Sequence, residues 1–160
     1  MPRYKKALCD AFKPHFKDQG FTKKDATWYL GSEQAIHVFN IQTSQWSECY
    51  MFNAGIYLKA LGSLETPPEY KCHIRTRIPD RRFHEVDLQH LSDLADFSKV
   101  ESGAEEKITE LKNLIYPLVF DWFGRFRDTQ NIKTVLADLD RPWFMISKEV
   151  WPLVGLATKK

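Results

Sequence analysis

Cys72 and His73 stand side by side, and a thiol beside an imidazole is the raw material of a cysteine nucleophile, provided a third group orients the base. The pattern around them argues otherwise. CHIRTRI, residues 72–78, alternates like a strand, which predicts Cys72, Ile74, Thr76 and Ile78 on one side and His73, Arg75 and Arg77 on the other. Neighbours on a strand point apart, so this pair cannot cooperate. His37 is a second imidazole that could reach Cys72 across a sheet, yet a free cysteine in an alternating strand is more often a small core residue. Metal ligation could draw on His73, His84 and His90 with Asp87 and Asp93, but no spacing matches a ligand signature. The seven glycines form neither G-x-G-x-x-G nor a P-loop, and Asp93 with Asp96 reads as a solvated helix face. No catalytic residue, metal ligand or cofactor is therefore expected.

Two constellations remain, and both suit binding better than reaction. The first is a row of primary amides. In Ala35 to Leu58, His37, Phe39 and Ile41 share one side of a strand, and Ile36, Val38, Asn40 and Gln42 share the other. The returning arm puts Phe52, Ala54 and Ile56 on one side and Met51, Asn53, Gly55 and Tyr57 on the other. With the aromatic side turned toward helices, Asn40, Gln42 and Asn53 lie together on the opposite face, near Tyr57 and His73. Leaving one such amide buried without a partner costs about 1–3 kcal/mol, so the row either satisfies itself or meets something external. The second constellation is Arg75 and Arg77, with Lys71, Arg81 and Arg82, where arginines side by side on a strand can grip carboxylates or phosphates. Its bland reading is pairing with the acidic segment Glu85 to Asp96. Between the two arms, the polar tip from Thr43 to Glu48 carries Trp46, either a contact residue or a ring folded back on its own sheet.

These residues are positioned by a predicted α+β domain spanning 1–160, a four- to five-stranded antiparallel sheet with N- and C-terminal helices packed on one face. Leu8, Phe12 and Phe16 recur at i, i+4 and i+8, which predicts a helix over Arg3 to Asp18, kinked or divided near Pro14 and stopped by Gly20. Phe21 to Lys24 reads as a turn. Thr27 to Gly31 reads as an aromatic strand pairing with the strand from Ala35, and Phe83 to Leu88 as a last short one. Beyond Gln89 the apolar period becomes helical. Ser102 and Glu105 form a capping-box pattern ahead of a long helix bearing Ile108, Leu111, Ile115, Val119 and Trp122, kinked near Pro117 and ending around Phe126. Asp128 or Thr129 caps a short helix with Ile132 and Leu136, and Ser147 to Ala157 forms a final amphipathic piece before a basic, frayed tail.

Bulk properties narrow the class further. The chain of 160 residues carries a net charge of only +2, but unevenly. Residues 1–24 hold seven Lys/Arg against two Asp/Glu, Lys71 to Arg82 five basic residues against Asp80, and Glu85 to Glu106 seven acidic residues against Lys99. Such segregation marks either a basic face for nucleic acid or an acidic partner, or helices that solvate themselves. Three cysteines without Cys-x-x-Cys spacing speak against a disulfide framework. With no apolar leader and no membrane-length run, a cytoplasmic location and no membrane association are expected.

The order of helix, Gly20-Phe21 with the lysines after it, aromatic strand, Asn40-x-Gln42-x-Ser44, Phe52-x-x-Gly55-Ile56 and Cys72-His73-Ile74-Arg75-x-Arg77-Ile78 resembles a bacterial family known as domain of unknown function 4304. The likeness continues through Pro117 to Trp122, Phe123 and Phe126 to Asp128, and is weakest from Arg82 to Val100. It implies a small α+β domain without an assigned activity, similar in size and style to the immunity proteins of bacterial toxin systems. Fold does not decide function, so that last step is analogy. The reading is a non-enzymatic module engaging a protein partner through Asn40, Gln42, Trp46, Asn53, Tyr57, His73, Arg75 and Arg77. The alternative is a nucleic-acid-binding protein using the basic strand Lys71 to Arg82, and a second copy of the chain is a further candidate partner.

Overall fold

The computed structural model describes residues 2–78, 87–140 and 142–159. Helix α1 (Lys5–Asp18) leads into a meander of β1 (Thr22–Lys24), β2 (Thr27–Gly31), β3 (Ala35–Thr43), β4 (Tyr50–Leu58) and β5 (Ile74–Ile78). Helices α2 (Leu88–Ala95), α3 (Ala104–Arg125) and α4 (Thr129–Asp138) follow, then β6 (Met145–Ile146) and the short α5 (Val150–Leu153). All strand pairings are antiparallel, and spatial order equals chain order from β1 to β6.

The parity expected of the central hairpin holds. Phe39 lies opposite Ala54 and Ile41 opposite Phe52, and all four are fully buried beneath the helices. Phe12 of α1 sits 5.6 Å from the Phe39 ring and 5.7 Å from Phe52, while Phe16 stacks on Phe39 at 4.7 Å. Each ring of this kind contributes about 1.5–3 kcal/mol through burial, so this aromatic seam is what fastens α1 to the sheet. Helix α3 adds Ile108, Leu111, Ile115, Val119 and Trp122 to the same core, as its apolar stripe predicts. Pro14 and Pro117 do not divide their helices. Both are exposed, and so are Asp10 and Asn113 four residues earlier, so water can serve the carbonyls that lose a donor.

Among the described residues the sheet has six strands rather than four or five. Phe21 to Lys24 was expected to turn; instead Thr22–Lys24 pairs with β2, with Lys23 opposite Trp28 and Asp25 at φ 54° closing the bend. All three β1 residues are exposed, so no alternation betrays them. Two-residue β6 pairs with Ile74 and Arg75. Of the strand expected over Phe83 to Leu88, residues 83–86 lie outside the described residues, and Leu88 opens α2, whose first turn is capped by Asp87 accepting the His90 N–H at 3.1 Å. Ser102 does not cap α3. Gly103 at φ 75° takes that position with no side-chain bond, leaving Glu105 and Glu106 to face the positive end of the helix. Asp128 does cap α4, accepting the Asn131 N–H at 2.8 Å. The tail is anchored rather than frayed: the Lys159 ammonium donates to the carbonyls of Leu136, Ala137 and Leu139 at 3.0, 3.2 and 2.6 Å.

The face opposite the helices is half covered. Residues 59–72 fold across it through two 3-10 turns and enclose a small second core of Ile36, Val38, Tyr57 and Cys72. Cys72 is thus not on the side of Ile74, as alternation predicts. It precedes β5, at the end of a 3-10 turn, where period two does not yet apply.

Candidate functional site

On the uncovered half of that face, register aligns Thr27, Asn40, Asn53 and Arg77 in a row across four strands. Asn40 Nδ2–H donates to Thr27 Oγ1 at 3.0 Å and to the Ala26 carbonyl at 3.3 Å. The Asn53 amide donates to Gln42 Oε1 at 3.0 Å and to Asn40 Oδ1 at 3.3 Å, and its own oxygen accepts from Arg77 Nε–H at 3.1 Å. Asn53 is only 3% exposed, so these bonds answer the desolvation that burial imposes. The amides therefore satisfy one another, and the row acts as a rigid seat for Arg77, which also reaches Gln42 Oε1 at 3.4 Å. Gln42 and Arg77 are exposed at the surface of this seat.

Arg75 lies next along the face with its guanidinium against the Met145 sulfur. Asn53, Glu69, Arg75, Arg77, Trp143 and Met145 line a shallow concavity of about 270 Å³. Burial pushes the Glu69 carboxyl above its usual range, and the charges of Arg75 and Arg77 oppose that shift. Nothing in a loop glutamate among prolines announces this position in the sequence; only folding residues 59–72 across the sheet delivers it.

Trp46 stands at the tip of the β3–β4 hairpin, 92% exposed. It does not fold back. The hairpin beneath it is braced: Glu48 Oε1 accepts the Tyr4 N–H at 2.6 Å and the Tyr50 hydroxyl at 2.8 Å, and the Glu48 carbonyl accepts the Phe97 N–H at 2.8 Å.

Tyr57 and His73 are placed elsewhere, under the covered half. The Tyr57 hydroxyl accepts the Leu64 N–H at 3.1 Å, and its ring lies 4.7 Å from His73. His73 Nδ1 accepts the Leu58 N–H at 2.9 Å, which requires a neutral ring, and burial lowers its pKa. Tyr57 thus holds the loop at Leu64, and His73 holds the end of β4 at Leu58. Lys71 is exposed, whereas Arg81 and Arg82 lie outside the described residues.

The structure also separates the candidate nucleophile from the imidazole of His37. His37 is on the helix-covered face, its Nε2 3.2 Å from the Phe126 carbonyl, while Cys72 is on the opposite face. Burial above all, with the Glu69 charge in support, pushes the Cys72 thiol far above its ordinary range, so the reactive thiolate is disfavoured. His90 bonds Glu110 at 2.7 Å, and no group of three metal-ligating side chains occurs among the described residues. Nor, among those residues, is any helix long and apolar enough to cross a membrane.

No curated protein and no solved structure matches this chain. A family model does match it over residues 12–123, from the aromatic seam of α1 through the sheet and the amide row to the last turn of α3. By that match the chain belongs to the family described as domain of unknown function DUF4304.

Proposed function

We propose that this protein is a non-enzymatic binding module that engages a protein partner through the Trp46 hairpin and the adjoining open half of the sheet, in the manner of a toxin-neutralising immunity protein. The observation that carries the reading is Trp46 itself. A tryptophan 92% exposed on a braced tip buries almost none of its ring against the fold, and such rings are typical anchors of interfaces. Arg77, seated on the amide row, and Arg75 on the same side of β5 add directional donors on the open half of the sheet. The thiol with its raised pKa, remote from His37, supports binding over nucleophilic catalysis.

Affinity capture from the native host with wild type, Trp46→Ala and Arg77→Ala as parallel baits tests this. A partner retained by wild type and lost by Trp46→Ala supports the reading. Equal recovery on all three baits, or recovery of none, defeats it. A second reading, nucleic-acid binding through Lys71 and the arginines of β5, is favoured by Arg75 and Arg77 sharing one side of that strand. It requires a gel shift at low salt that fades steeply as salt rises.

A further inference from the structure

On the helix side of the sheet, opposite the face of the amide row, α3 and the turn joining β2 to β3 leave between them a cleft of about 460 Å³. One wall is a pair of half-exposed rings from α3, Tyr116 4.5 Å from Phe120, with the buried Phe123 ring 6.4 Å beyond Phe120 at the floor. His37 stacks flat on Phe123 at 5.0 Å, with 13° between the planes, and Leu30 closes the other side. A volume of this size with aromatic walls and few polar groups is the usual form of a small-molecule site.

Three details give the site its chemistry. His37 Nε2–H donates to the Phe126 carbonyl, so Nδ1 carries the lone pair, and it has no hydrogen-bond partner among the described residues. Arg127 stands on the lining and pairs with no carboxylate among the described residues, and no Asp or Glu lines the cleft at all. Gly124, in the last turn of α3, also lines it. Its φ is not in the left-handed region, and a Cβ added there would meet nothing within 4 Å. Glycine inside a helix costs roughly 0.5–1 kcal/mol relative to alanine, and neither backbone geometry nor packing asks for one here. What its missing side chain provides is open space beside Phe123 and Arg127.

We propose that this cleft binds a flat aromatic molecule carrying an acidic group, its ring laid against Tyr116 and Phe120, its charge toward Arg127, and a donor offered to His37 Nδ1. The site is independent of the Trp46 surface. Indole-3-carboxylate has all three features; indole lacks the charge and cyclohexanecarboxylate lacks the aromatic ring. Calorimetric or ligand-observed NMR titration of wild type should give saturable one-site binding of indole-3-carboxylate, with both comparison compounds weaker by about tenfold or more. Gly124→Trp fills the open space and should abolish binding while circular dichroism stays native, Gly124→Met serves if the tryptophan prevents folding, and Arg127→Gln should weaken binding several-fold. No saturation by indole-3-carboxylate, equal binding in the filled variants, or comparison compounds binding as well would each overturn the proposal.

Discussion

Cys72 lies directly over Gly55: a Cβ built at Gly55 would fall 2.7 Å from both the Cβ and the Sγ of Cys72. Gly55→Ala therefore forces the covering loop off the sheet and should lower unfolding stability by about 1–3 kcal/mol. Combined with Cys72→Gly, the loss should be markedly less than the sum of the two single changes, because the second removes the overlapping atoms. Additive denaturation midpoints would show that the two residues do not touch.

Asn53 serves Asn40, Gln42 and Arg77 at once, and it is the buried member of the row. Replacing it with leucine leaves those partners short of bonds, at a cost of roughly 1–3 kcal/mol in urea denaturation. Gln42→Ala, at the exposed end, should cost well under half of that.

Trp46→Ala removes a ring that touches almost nothing, so thermal stability should remain within about 0.5 kcal/mol of wild type. A clear drop in melting temperature would mean that the ring packs in solution and is not available to a partner.

Both His37 and His73 have pKa values lowered chiefly by burial. A depressed folded value means that the unfolded chain takes up protons first as acidity rises. The stability these neutral rings contribute is complete above about pH 6.5, and it is lost as the pH falls from there through their lowered folded values. Melting temperature should decline over that window, and His73→Asn should flatten the decline. Protonation at His73 also removes the acceptor that holds the Leu58 N–H.

Gly124→Ala adds a methyl into open space on a helix and should raise stability by about 0.5–1 kcal/mol. A loss instead would show that the glycine is needed for packing.

The central hairpin was readable because one period governs it from end to end. Phe39 and Ile41 against Asn40 and Gln42 leave a single register that buries the rings, and the row of amides follows from it. The unreadable parts are those where no period operates. Residues of β1 are all solvated, β6 is two residues long, and Cys72 escapes the alternation of its neighbours because a 3-10 turn sets its direction. That Glu69 joins Arg75 and Arg77 depends on where residues 59–72 cross the sheet, which is a matter of loop path and not of residue type. The tip carrying Trp46 could be located, but its outward stance could not be told from a ring lying back on the sheet.

The bracing of the β3–β4 tip through Glu48, which ties it to the start of α1 and to Phe97, bears on kinetics. A loop already held in one shape surrenders little motional freedom when it is gripped, so the ordering penalty that weakens many flexible contacts is largely absent. Variants of the tip should accordingly leave association rates nearly alike and differ in how long a complex survives.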